Sequence, residues 1–139
     1  GESYDGKGIA IEPFVAALKK TLSTLPGRTL IISSADLSHV GPAFGDQKPL
    51  AGEAKEAEEE RNKVVKHDLA MLDLIVKKQP AELITSMAWQ QNPTRWCSIG
   101  NLAVTLMTVE PSEVELLNYA AAVDQQGMTM VSSVAMAMK

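Results

Sequence analysis

The pattern of apolar residues predicts a first helix near the start of the chain. Glu12 and Pro13 open it, because proline tolerates the first helical turn, where its missing N–H is not needed. Pro26 and Gly27 end it. Residues 1–11, which begin with a polar, glycine-containing stretch, are interpreted as a loop-like lead-in. One apolar face follows from the helical spacing of Phe14, Val15, Leu18, Leu22 and Leu25.

The apolar run at 28–33, RTLIIS, predicts a short buried strand. A continuous run of this length after a turn is typical of a strand covered on both faces, as in a parallel sheet. The order of helix and then strand favours an α/β architecture. The segment His39–Gly52 holds three glycines and two prolines, which predicts a loop.

Three more helices and a closing pair of strands are predicted along the rest of the chain. The long helix at 53–78 carries charges in its first half and an apolar stripe in its second. The stripe consists of Val65, Leu69, Leu72, Ile75 and Val76. The other elements are helices at 80–90 and from Cys97 to Pro111, and strands at 113–123 and 128–138 with a turn between them. We therefore expect a single α/β domain over residues 1–139, with a mixed sheet flanked by helices.

Composition and charge narrow the possible classes of function. A chain of 139 residues with 45% apolar residues can bury one ordinary core. The net charge of −4 and the pI near 5.2 argue against a nucleic-acid partner. No apolar run approaches the ~18 residues that would span a bilayer, so we expect no membrane partner and a cytoplasmic protein.

Asp36 and His39 follow directly after the predicted strand at 28–33. In open α/β sheets, ligands bind in the crevice outside the carboxyl ends of the strands. An imidazole there can exchange a proton near neutral pH, and a neighbouring carboxylate can fix its tautomer. The alternative is structural: Asp36 caps a turn and His39 is an ordinary loop residue.

Cys97 stands at the start of a predicted helix, after Arg95 and Trp96. A helix N-terminus and a nearby guanidinium both favour the thiolate, the form that binds metals or attacks carbon. The alternative is an inert, buried cysteine. Trp89 and Trp96 are expected to anchor the loop between them to the core, and His67 is assigned no function.

Three motifs in a fixed order carry a resemblance to a known family. The stretch SSADLSHVG at 33–41 is similar to an S-S-D-[LF]-[SC]-H-[WY]-G box, with Asp36 and His39 at its acidic and histidine positions. Residues 67–104 are similar to the helix, helix and T-x-C-G stretch that follows, and 116–138 to closing L-x-Y-x-x-S and S-S-V-x-Y-A strands. Together they resemble the MEMO family, including the component B proteins of the AmmeMemoRadiSam group. Ala35, Ser98 and Met136 depart from the family pattern.

The resemblance implies a fold shared with class III extradiol ring-cleavage dioxygenases, of which this chain would be the C-terminal half. In MEMO proteins two histidines and a cysteine hold a metal, and the cysteine position matches Cys97. By analogy His39 would act as acid/base on a small-molecule substrate, and Asp36 would orient it. The two histidine ligands belong to the family's N-terminal half, so non-haem iron or copper is expected in the complete protein and none in this chain alone.

Three hypotheses remain open at this point, and the simplest is a domain of uncharacterised role in which the SSADLSHVG box is only structural. The first of the other two is a non-haem iron oxidoreductase, related to the dioxygenases, that needs the missing N-terminal half or a partner chain. The alternative is a non-catalytic protein- or ligand-binding module, because fold analogy alone does not decide function. A half-domain leaves strand edges and apolar surface uncovered, so we also expect a homo-oligomer.

Overall fold

The computed structural model describes residues 6–48 and 50–139, and it confirms the predicted α/β class. Residues 1–5 of the predicted lead-in lie outside the described residues. A short 3₁₀ turn at Pro42–Phe44 follows the first strand. The remaining elements, in chain order, are α1 (Ile11–Thr24), β1 (His39–Val40), α2 (Lys55–Val76), α3 (Pro80–Trp89), α4 (Ile99–Val109), β2 (Val114–Val123) and β3 (Met130–Met138).

The described strands form one antiparallel sheet in the order β1-β3-β2. The predicted pair of closing strands is confirmed as the hairpin β2–β3, and its turn is held by Asp124. The Asp124 carboxylate accepts the Thr129 hydroxyl at 2.8 Å and the Met128 N–H at 2.9 Å. These hydrogen bonds stabilise the charged form and lower the pKa of Asp124.

The prediction of a buried strand at 28–33 is wrong for the described chain. The segment forms no ladder, and the side chains of Leu30 and Ile32 are 82% and 79% exposed. An apolar run becomes a strand only when a neighbouring strand supplies backbone partners, and no described strand is hydrogen-bonded to this segment. The loop predicted from His39 instead begins with β1, which pairs with Met130 and Val131 of β3.

The main core lies where α2, α3 and α4 pack against the hairpin. Leu72 and Ile75 of the predicted stripe on α2 are buried, but Leu69 is 46% exposed. The buried face of α2 is centred instead on Asp68, which has no exposed surface. Other core members are Leu37, Met71, Leu83, Met87, Trp96, Leu102, Leu106 and Val114. Within the described residues, no helix is both long and apolar enough to cross a bilayer.

Candidate functional site

Asp36 lies between the two other residues that the sequence singles out. Its carboxylate oxygen Oδ2 is 3.8 Å from Nε2 of His39, and its backbone carbonyl oxygen is 3.2 Å from Sγ of Cys97. Asp36 and Cys97 are exposed, and the His39 side chain retains 23% of its surface. The three residues therefore share one surface region, at the entry to β1 and just before α4.

The backbone around His39 defines which ring nitrogen carries the proton. Nδ1 lies 3.2 Å from the carbonyl oxygen of Leu37 and 3.3 Å from that of Arg95. A carbonyl oxygen only accepts hydrogen bonds, so Nδ1 is the protonated nitrogen of the neutral ring. Nε2 then holds the lone pair and faces the Asp36 carboxylate. This arrangement suits a side chain that takes up and releases a proton at Nε2.

The Cys97 thiol donates a hydrogen bond to the carbonyl oxygen of Asp36. The residue lies in the loop just before Ser98, the N-cap of α4, as its position in the sequence predicts. The guanidinium of Arg95, which the sequence places near Cys97, contacts other groups. Its Nε donates to the His39 carbonyl oxygen at 2.8 Å, and its Nη2 pairs with Asp46.

The loop after β1 is tied to the site through Arg95 and Asp46. Asp46 accepts the backbone N–H of Gly41 at 2.7 Å as well as the Arg95 guanidinium. Phe44 lies against both the Arg95 guanidinium and the His39 imidazole. Its ring centroid is 5.7 Å from the Arg95 guanidinium carbon and 5.8 Å from the imidazole centroid of His39, in an edge-to-face arrangement. The loop therefore covers one side of His39.

A buried polar cluster lies directly beneath this region. The Asp68 carboxylate accepts four hydrogen bonds from neutral groups on four other segments of the chain. Burial, and then the hydrogen bond to Asp68, raise the pKa of Tyr119 above its ordinary value. The donors are the hydroxyls of Ser38, Tyr119 and Ser132 and the indole N–H of Trp96.

Neither the ion pair between Arg95 and Asp46, which holds the loop over His39, nor the Asp68 cluster was predicted from the sequence. Trp96 does anchor its loop to the core as predicted, since it is 3% exposed, but Trp89 is 88% exposed and anchors nothing. The available signal for the cluster was an acidic residue in the middle of the buried stripe of a helix. A fully buried carboxylate needs partners, so an aspartate in that position predicts a hydrogen-bond network.

The described residues do not make up a complete metal site. In residues 6–48 and 50–139, no group of three or more histidine, cysteine, aspartate or glutamate side chains is arranged to hold a metal ion. A single thiolate, such as that of Cys97, does not hold iron or copper tightly.

The fold and the site define a class: an α/β protein that gathers a histidine, an aspartate and a cysteine at one end of its sheet. The Memo-like protein family matches residues 10–138, nearly the whole sequence. The chain belongs to this family. Comparison with curated proteins gives no match, and comparison with solved structures gives none either.

Proposed function

We propose that this chain is the site-bearing C-terminal part of a Memo-like protein related to component B of the AmmeMemoRadiSam group, and that the complete protein is a non-haem iron oxidoreductase. The family match over residues 10–138 supports the assignment. The observation that carries the function is the position of Asp36, which lies against both the Cys97 thiol, 61 positions away in the sequence, and the His39 imidazole, three positions away.

Each of the three residues has a distinct role in this proposal. His39 is the acid/base, because its Nδ1 proton is committed to backbone carbonyls and its Nε2 is left to exchange a proton with substrate. Asp36 orients the imidazolium that forms when Nε2 is protonated. Cys97 is a metal ligand after it gives up its proton to solvent and its hydrogen bond to Asp36. The remaining ligands would come from the N-terminal half.

The test is metal analysis of the protein expressed from its complete gene, followed by oxygen uptake with catechol-like substrates. We expect stoichiometric iron in the wild type and little in Cys97→Ser, because serine is a poor ligand at neutral pH. His39→Asn is the matched control: it should keep the iron and lose the activity. A complete protein that binds no iron or copper under anaerobic loading would contradict the oxidoreductase proposal.

A second candidate function, a binding module, is favoured by the exposed apolar segment before the site. A groove of about 550 Å³ separates residues 29–35 from β3, and it is lined by Leu30, Ile31, Val134 and Met136. Exposed apolar surface of this kind marks interaction sites. If the complete protein holds no metal but still needs Leu30 and Ile32 to capture a peptide or protein ligand, the binding function replaces the catalytic one.

A further inference from the structure

The carboxylate of Asp68 connects the two segments that carry the proposed site residues. Its oxygen Oδ1 accepts the Ser38 hydroxyl at 2.5 Å and the Trp96 indole N–H at 2.6 Å. Ser38 immediately precedes His39, and Trp96 immediately precedes Cys97. Trp96 Nε1 also lies 3.0 Å from the Ser38 hydroxyl oxygen, so the three groups form a closed triangle. Oδ1 of Asp68 thus holds both Ser38, the residue before His39, and Trp96, the residue before Cys97.

The second oxygen of Asp68 faces the hairpin. Oδ2 accepts the Tyr119 hydroxyl at 2.7 Å and the Ser132 hydroxyl at 2.5 Å. The Ser132 oxygen in turn accepts the backbone N–H of Ser38 at 3.0 Å. Four donors match the four lone-pair directions of an ionised carboxylate, so the network is complete with Asp68 charged.

Filling the core at this position of α2 does not require a hydrogen-bonded carboxylate, since an apolar side chain would also fill it. Asp68 has no exposed surface, and its four hydrogen-bond donors are all neutral. Burial of a charge on neutral donors alone is costly, and an apolar residue at this position of α2 would avoid that cost. The carboxylate does what an apolar side chain cannot: it fixes the relative position of two loops through directed bonds.

We propose that Asp68 is a positioning residue, which holds Ser38 and Trp96 on one oxygen and thereby sets where His39 and Cys97 stand relative to each other. The inference rests on the proposed function, because it gives Asp68 a role toward those two residues. Its test must therefore measure the geometry of the site without requiring metal or activity.

The reactivity of Cys97 provides this measurement. It is the single cysteine of the chain and is exposed, so the rate of its alkylation by iodoacetamide, followed by mass spectrometry, reports on this one thiol. In the wild type the thiol is restrained by its hydrogen bond to the Asp36 carbonyl oxygen. Loss of one such hydrogen bond should raise the rate roughly fivefold.

Two substitutions of Asp68 separate positioning from charge. Asp68→Ala removes both acceptors and should give the fivefold increase. Asp68→Asn should react like the wild type, because its amide orientation is dictated by Trp96. The indole N–H only donates, so the amide oxygen must replace Oδ1, and the amide nitrogen can then donate to the hydroxyls of Tyr119 and Ser132.

A second pair of variants controls for stability and remains informative if Asp68→Ala does not fold. Trp96→Phe and Tyr119→Phe each remove one hydrogen bond to Asp68, and Trp96→Phe also removes the contact with the Ser38 hydroxyl inside the same triangle. Only Trp96 adjoins the site. We expect a faster reaction in Trp96→Phe and a wild-type rate in Tyr119→Phe.

Equal rates in Trp96→Phe and Tyr119→Phe would overturn the proposal, as would a wild-type rate in a folded Asp68→Ala protein or a fast reaction in Asp68→Asn. A metal-free complete protein would leave this result standing, since the rate depends only on the position of Cys97.

Discussion

The thiol of Cys97 and the backbone carbonyl oxygen of Asp36 lie 3.2 Å apart, although 61 positions separate them in the sequence. The contact joins the loop before α4 to the loop before β1. It involves the main chain of Asp36, so the side chain of this residue remains available to His39, 3.8 Å away. One residue can therefore hold the thiol and orient the imidazole at the same time.

The hydrogen bonds of His39 predict different results for its two amide substitutions. Asparagine places its N–H₂ group near the position of Nδ1, so His39→Asn should keep the bonds to Leu37 and Arg95 and unfold at nearly the wild-type urea concentration. Glutamine extends toward the position of Nε2, so His39→Gln should lose about 1 kcal/mol of unfolding free energy. Equal stability of the two variants would contradict the assigned tautomer, which long-range ¹H–¹⁵N NMR of the wild type checks directly.

Replacing either of two glycines in the loop that covers His39 by alanine should destabilise the protein, but by different amounts, because only one of them is in close contact with another segment. Gly41 and Gly45 both have positive φ angles, of 123° and 89°. A Cβ at Gly41 would lie 2.5 Å from the carbonyl oxygen of Met128, whereas a Cβ at Gly45 meets nothing within 4 Å. Gly45→Ala should cost about 1 kcal/mol for backbone strain alone, and Gly41→Ala should cost about 2–4 kcal/mol because the β-hairpin must also move. Chemical denaturation measures both, and equal costs would show that the contact with Met128 is relieved easily.

A pH dependence of stability is expected from His67 on α2. Burial lowers the pKa of His67 below its ordinary value of 6.5, and the nearby Asp68 opposes this only in part. The unfolded chain therefore binds a proton at a pH where the folded chain does not. Stability is highest above pH 6.5 and falls as the pH decreases through that value toward the lower pKa of the folded state.

The measurement is urea denaturation at several pH values on either side of 6.5, on the wild type and on His67→Gln. Glutamine does not titrate, so the loss of stability in this window should become smaller in the variant. An unchanged pH profile in His67→Gln would assign the loss to other groups.

Local sequence signals predicted the helices and the β-hairpin, and they failed where partners distant in sequence decide the structure. The proline before α3 and the turn between β2 and β3 act within a few residues, so they can be read directly. The segment at 28–33 has the composition of a strand but is hydrogen-bonded to no strand among the described residues. Which face of α2 is buried depends on the groups that donate hydrogen bonds to Asp68. These donors lie 28 to 64 positions away in the sequence.

The same distinction applies to the site. His39 and Asp36 are three residues apart, and their contact follows from local spacing. Cys97 could be placed beside them only through the family resemblance, because nothing local connects it to Asp36. The ion pair between Arg95 and Asp46 left no signal in the sequence, since a salt bridge across 49 positions depends on the folded path of the chain.

The exposed segment at 28–33 predicts self-association of this chain. Leu30 and Ile32 expose most of their surface, and beyond Ser132 the outer edge of β3 has no partner strand among the described residues. Uncovered apolar side chains beside an unpaired strand edge favour pairing with another chain. We expect dimers or larger oligomers of the chain by light scattering at micromolar concentration, and dissociation in the double variant Leu30→Lys/Ile32→Lys. Trp89→Lys is the matched control, because it removes an equally exposed apolar side chain, 88% exposed, from α3 instead. A monomeric wild type, or dissociation by Trp89→Lys alone, would show that this segment is not the contact surface.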